Sequence, residues 1–252
     1  MNTLNKIKIL TKCVFGDKRS AFEARYMILS FLAKKISVRL YNKDLIWPED
    51  EEFKSVWGGY PARGNTGVHE RRFNLYYLSK SIKDLEGDTA ECGVFEGASS
   101  YLILKSNSGT GKEHYIFDSF EGLSKIEEND FVINKKIPQW KESDLSVGEN
   151  VVRHNLDEFE NVHYLKGWIP ERFGEISNKK YSFAHIDVDL YQPTLESINY
   201  FYNRMVVGGM IVCDDYGFNT CPGAYKAMKE FFSDKTESII HLTTGQGVVI
   251  KH

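Results

Sequence analysis

Proline and cysteine are both scarce in this chain of 252 residues, six and four in all. The cysteines, Cys13, Cys92, Cys213 and Cys221, follow no metal-ligand spacing, and two of them sit in apolar runs that read as buried strands. Reduced thiols in a cytoplasmic protein are the simplest account. Long apolar runs are missing too. The most lipid-like segment, residues 26–33, falls short of the ~20 residues a bilayer-spanning helix needs. Lys8, Lys12 and Asp17 interrupt the first apolar stretches, so no secretory leader is expected. Positive charge is not in excess, with 32 Lys and Arg against 35 Asp and Glu, which excludes an overall basic footprint for nucleic acid. Neither a Gly-Lys-Ser/Thr phosphate loop nor the Gly-x-Gly-x-x-Gly dinucleotide fingerprint accompanies the first strand.

What charge there is lies unevenly. Residues 1–46 carry ten Lys and Arg against Asp17, Glu23 and Asp44, a balance of +7 that leaves −10 for the rest. Such a basic arm suits a solvated or dimer-forming helix, and a homo-oligomer is compatible with it; at most it touches a membrane surface peripherally. Residues 19–40 and 69–82 show helical spacing, and the acidic, aromatic and Gly-rich stretch between them, residues 47–61, reads as loop. The Gly-rich residues 63–72 read as a linker or a lid hinged at Gly64 and Gly67. The expected division is a helical extension and lid over residues 1–87 and a catalytic domain over 88–252.

From residue 88 onward, short apolar runs alternate with helical patterns, the signature of a parallel sheet with crossover helices. Seven runs occur, at residues 89–94, 114–117, 163–165, 183–187, 210–213, 238–242 and 248–251. Only a hairpin-length segment with two Gly separates the last two, so the seventh strand is expected to reverse. This is the α/β layout of a class I methyltransferase: a Rossmann-like, mostly parallel seven-stranded sheet with an antiparallel last strand.

Three groups of residues carry candidate chemistry. The first strand runs into Glu91-Cys92-Gly93-Val94-Phe95-Glu96-Gly97-Ala98-Ser99, where Gly93 and Gly97 let a ligand approach the backbone and Glu91 suits a cationic amino end. Asp118, followed by Ser119, closes the second strand where an acid accepts hydrogen bonds from ribose hydroxyls. The pair favours S-adenosylmethionine over a nicotinamide. The fourth and fifth strands end in His185-Ile186-Asp187-Val188-Asp189 and Asp214-Asp215, four carboxylates that repel one another unless a cation sits among them. Oxygen ligands select a hard ion, Mg²⁺ first. Asp187 and Asp189 are expected on one side of the strand, and Asp214 and Asp215 reach one ion only if the strand ends before them. His185 reads as a rival base or as a hydrogen-bonded core residue. Trp168, Tyr191 and Tyr216 are aromatic candidates for the acceptor pocket, with simple packing the alternative.

Glu-Cys-Gly-Val (91–94), Asp-Ser-Phe-Glu-Gly-Leu (118–123), Lys-Gly-Trp-Ile-Pro (166–170), Ile-Asp-Val-Asp-Leu-Tyr (186–191), Asp-Asp-Tyr-Gly (214–217) and Cys-Pro-Gly (221–223) follow one another in an order that resembles the macrocin O-methyltransferase family. The resemblance runs from about residue 63 to 232. It implies Mg²⁺-dependent methylation of a sugar hydroxyl, on a glycan, a nucleotide sugar or a glycosylated natural product. It further implies that Asp187, Asp214 and Asp215 are the metal ligands and Asp189 the general base, with Gly167 and Trp168 near the adenine. Methylation of a catechol or other vicinal diol is the rival within the fold, and a nicotinamide-dependent oxidoreductase the rival outside it.

Overall fold

The computed structural model describes residues 11, 13–15, 17–38, 45–62, 69–132 and 139–252. The lid hinges Gly64 and Gly67 and much of the basic arm lie outside these residues. The chain forms two compact units, Met1–Lys54 and Ser55–His252.

In the first unit, helix α1 (Lys18–Lys35) begins behind Asp17, whose carboxylate accepts the N–H groups of Arg19 and Ser20 at 3.0 Å. It stops short of residue 40 because Ser37 turns left-handed at φ 59°, with Val38 N–H on Ala33 O at 2.9 Å. The stretch read as loop contains helix α2 (Glu51–Gly58). Asp50 caps it through the Phe53 N–H at 2.7 Å, and Glu51 and Glu52 face the positive end of its dipole. The acids that suggested a solvated loop are the residues that start this helix.

The second unit carries helix α3 (His69–Ser81) and then the alternation expected from the sequence. Strand β1 (Asp88–Cys92) leads to helix α4 (Ala98–Ser106), and β2 (His114–Asp118) to α5 (Glu149–Asn155). Next come β3 (Val162–Lys166), β4 (Tyr181–Ile186), α6 (Tyr191–Tyr202), β5 (Met205–Cys213) and α7 (Pro222–Phe231). The two-residue β6 (Ile240–His241) and β7 (Gly247–Ile250) close the sheet, whose spatial order is β3-β2-β1-β4-β5-β7-β6. β1 to β5 are parallel, and β7 runs antiparallel to both β5 and β6.

Period-two alternation sends successive strand residues to opposite faces. Ala184, Ile186, Ile211, Cys213 and Val249 pack with Ile198 and Phe201 of α6 and Met228 of α7. Phe183, Val212 and Val248 pack with Leu75 of α3 and Ile103 of α4. Helices therefore cover both faces, and the carboxyl ends of the strands remain as the place for a site. The order reverses between β1 and β4, so the loops leaving them diverge and open a crevice there.

Gly93 shows how closely the two loops approach. Its φ is +80°, and a Cβ on it runs into the Asp187 carbonyl oxygen. Gly93→Ala is expected to cost more than about 2 kcal/mol through this clash and the left-handed strain, about 4–8 °C in Tm for a domain of this size. Thermal unfolding of the ligand-free variant checks this; an unchanged Tm contradicts the close approach.

Candidate active site

A cavity of about 440 Å³ lies in that crevice. Its wall includes Gly93 and Ser99 from the β1–α4 region, Asp118 and Ser119 after β2, and Gly167 and Trp168 after β3. Asp187 and Asp189 after β4, and Asp214 and Asp215 after β5, complete it. Ten residues singled out from the sequence are thus brought to one cavity. Asp118 is held rigidly: Oδ2 accepts the Val94 N–H and Oδ1 the Phe120 N–H, both at 2.7 Å. Burial pushes its carboxyl pKa up, against the lowering by these N–H groups.

Glu91 and Gly97 are not in the wall. Glu91 faces β4 across the register pair Glu91↔His185 and is fully buried, its Oε1 2.7 Å from His185 Nδ1 and its Oε2 accepting the Ser100 hydroxyl. Its carboxylate is turned toward His185 and Ser100 and away from the cavity wall. Gly97 instead adopts φ 91° as the N-cap of α4. Sequence reading missed Arg71, Arg72 and Glu96. Arg72 Nη1 donates to Ser99 Oγ at 3.3 Å and its guanidinium lies over Trp57, while Glu96 Oε2 is buried without a hydrogen-bond partner. Among the aromatic candidates, Trp168 lines the cavity. Tyr191 reaches Glu230 with its hydroxyl, and Tyr216 packs on Tyr225 and His241.

β5 ends at Cys213, which frees Asp214 and Asp215 to turn into the cavity as required. The four acids nevertheless fall into two sets. Asp187 and Asp214 come together with His185, and Asp189 and Asp215 with Cys221. Asp187 and Asp189 part because Asp189 sits at φ +57°, where strand alternation no longer holds. Asp189 N–H donates to Asp215 Oδ2 at 3.0 Å, and the Cys221 thiol donates to Asp189 Oδ1 at 3.2 Å. Burial, reinforced by the Asp187 charge, pushes Asp189 up to about 7, and burial with the Asp189 charge raises Asp215. Arg71 of α3 supplies compensating charge: its Nη2 pairs with Asp214 Oδ2 and donates to the Asp214 carbonyl at 2.9 Å, with Asp215 Oδ1 at 3.7 Å. Its guanidinium stacks over Phe218 at 4.6 Å. His185 is fully buried on the core side of the cluster, with Nε2 3.4 Å from Asp214 Oδ1.

A seven-stranded sheet with a reversed last strand and its cavity at the β1/β4 divide define the class I methyltransferase fold. Solved structures share it. The O-methyltransferase NovP superposes with a TM-score of 0.61 at 22% identity, covering 72% of this chain and 79% of its own. A calicheamicin methyltransferase gives 0.63 at 14% identity, over 79% and 90%. An O-methyltransferase from Bacillus cereus, solved with S-adenosylhomocysteine, gives 0.53 at 16% identity, over 84% and 96%. In sequence, residues 1–243 match the macrocin O-methyltransferase (TylF) family, and the chain belongs to it. It is accordingly an O-methyltransferase, and the nicotinamide-dependent oxidoreductase is set aside. Among its relatives, the demethyldecarbamoylnovobiocin O-methyltransferase of Streptomyces niveus is 26% identical over 194 residues, 72% of each chain. A rhamnosyl-tetracenomycin C 4′-O-methyltransferase of Streptomyces olivaceus is 25% identical over 219 residues, 80% of this chain and 84% of its own.

Because Arg71 is the cation in direct contact with the acidic cluster, its loss leaves mostly buried carboxylates uncompensated. Arg71→Met is expected to destabilise the ligand-free protein by about 3 kcal/mol. Added Mg²⁺ or Mn²⁺ should restore part of the loss. Thermal unfolding with and without the ion is the check, and a Tm equal to that of the parent protein contradicts the assignment.

Proposed function

We propose that the enzyme transfers the methyl group of S-adenosylmethionine to a sugar hydroxyl of a glycan, a nucleotide sugar or a glycosylated natural product, with a divalent cation at the acidic end of the cavity. One observation carries the reading: Asp118, fixed by backbone N–H groups, and the Asp187/Asp189/Asp214/Asp215 cluster open into the same cavity. The relative that acts as a rhamnosyl-tetracenomycin C 4′-O-methyltransferase supports the sugar acceptor, and the demethyldecarbamoylnovobiocin O-methyltransferase supports O-methylation of a natural product. S-adenosylhomocysteine in the solved Bacillus cereus neighbour supports this cofactor. The free thiols of Cys92, Cys213 and Cys221 agree with a cytoplasmic setting.

The donor chemistry fits a divalent cation. Asp187 and Asp214 gather in one set and Asp215 in the adjoining one, and all three open carboxylates into the cavity. When bound, such an ion supplies a Lewis acid that lowers the pKa of an acceptor hydroxyl. The remaining work belongs to the chain. Asp118 retains lone pairs for the ribose hydroxyls, and Trp168 offers a face to the adenine. Asp189 is the base: it takes the hydroxyl proton as the oxygen attacks the sulfonium methyl in line, leaving a methyl ether and S-adenosylhomocysteine. The Cys221 thiol orients its carboxylate for this.

Transfer of labelled methyl from S-adenosylmethionine to a panel of nucleotide sugars and glycosides tests the proposal. Labelling is expected with a sugar acceptor and a divalent ion, and Asp189→Asn should slow turnover by about 10²–10⁴-fold with cofactor affinity kept. Full-rate labelling after metal stripping in EDTA, or labelling of catechols alone, overturns it.

A further inference from the structure

One polar chain runs through the core behind the acidic cluster, on the face that α3 and α4 cover. His185 Nδ1 meets Glu91 Oε1 at 2.7 Å, and Glu91 Oε2 accepts the Ser100 hydroxyl. Ser100 Oγ lies 2.9 Å from His114 Nε2, and His114 Nδ1 lies 2.8 Å from Thr89 Oγ1. All five residues are buried. Because Ser100 donates to the carboxylate, its oxygen accepts from His114 Nε2–H, and His114 Nδ1 accepts the Thr89 hydroxyl. His114 is neutral, its pKa driven down to about 3 by burial. Every hydrogen-bonding atom in the chain is matched until its end, where His185 Nε2 is fully buried and makes no hydrogen bond.

A buried imidazole nitrogen that makes no hydrogen bond calls for a reason. His185 Nε2 points at the cluster: it lies 3.4 Å from Asp214 Oδ1, and donor atoms of His185, Asp187 and Asp214 all lie within 4.8 Å of one another. Two donors held about 2.1 Å from one ion, at roughly 90–110° to each other, stand about 3.0–3.4 Å apart. The observed 3.4 Å spacing falls at the upper end of that range. Resting on the divalent-cation reading above, we propose that His185 Nε2 is itself a metal ligand beside Asp187 and Asp214, making a mixed nitrogen and oxygen site that takes a first-row transition ion such as Mn²⁺ in preference to Mg²⁺.

Two further features fit. A ligating histidine characteristically donates its other ring N–H to a carboxylate, which fixes the tautomer and aims the free nitrogen at the ion. Glu91 Oε1 is that carboxylate, and Ser100 and His114 hold it in turn. Asp214 is oriented independently, its Oδ1 accepting Gln246 Nε2 at 2.7 Å. An imidazole ligand favours the transition metals, whereas Mg²⁺ prefers an all-oxygen shell. The acid expected to meet the cofactor's amino group thus becomes the group that aims the metal's nitrogen ligand.

The test is pulsed electron paramagnetic resonance of Mn²⁺ bound to the metal-stripped full chain. The parent protein should show ¹⁴N coupling from one directly bound imidazole, and calorimetry should give Mn²⁺ at least about tenfold tighter binding than Mg²⁺. His185→Gln should abolish the coupling. Glu91→Gln should keep it while weakening Mn²⁺ by about 10–100-fold, as loss of an orienting partner does. Mn²⁺ bound without ¹⁴N coupling in the parent protein overturns the proposal and leaves the divalent-cation reading intact, with His185 a bridge between Glu91 and Asp214. No Mn²⁺ binding at all overturns both. The parent spectrum decides even if His185→Gln does not fold.

Discussion

Four carboxylates, Asp187, Asp189, Asp214 and Asp215, are driven together because β4 and β5 are parallel neighbours that end at the same level. Asp214 N–H donates to Ile186 O at 2.9 Å, one residue before Asp187. Repulsion at such a place is severe in a medium less polar than water. The surrounding structure is organised to relieve it: Arg71 pairs with Asp214, Gln246 donates to the same carboxylate, and the Cys221 thiol donates to Asp189. The left-handed turn at Asp189 splits the cluster into two sets, and Asp189 remains a buried acid pushed up to about 7.

The opposite end of the cavity obeys a different rule. There the ligand-facing groups follow β1, β2 and β3, and Asp118 is held by main-chain donors where Arg71 and Gln246 hold Asp214. Main-chain donors cost no side-chain entropy and do not depend on a distant segment. This suits a cofactor site common to the fold, while the acidic end is built partly from α3, through Arg71.

The sheet was legible in the sequence because each strand is a short apolar run bounded by polar or Gly-rich turns, and all seven runs correspond to strands. The reversal of the last one was readable from the two Gly beside Gln246. α2 was missed because acids and Gly beside Trp57 look like a loop, while its start depends on Asp50 as a cap. Where the Glu91 carboxylate turns was not legible, for a deeper reason. Its partner His185 is 94 positions away, and only the register of β1 on β4 decides that the carboxylate turns to the histidine instead of the cavity. Arg71 and Arg72 escaped for the same reason: nothing near them in sequence hints at carboxylates more than a hundred positions on. Motifs at strand ends reveal which residues gather, whereas the cross-chain partners that set their charge state emerge only from packing.

A cation at the acidic end of the cavity is central to the proposed function. Anomalous diffraction from crystals grown with Mn²⁺ tests it most directly. A single strong peak is expected beside the Asp187 and Asp214 carboxylates, at the edge of the cavity that Asp118 lines. A map without a peak there, with the Arg71 guanidinium still seated on Asp214 and the protein competent for methyl transfer, contradicts it.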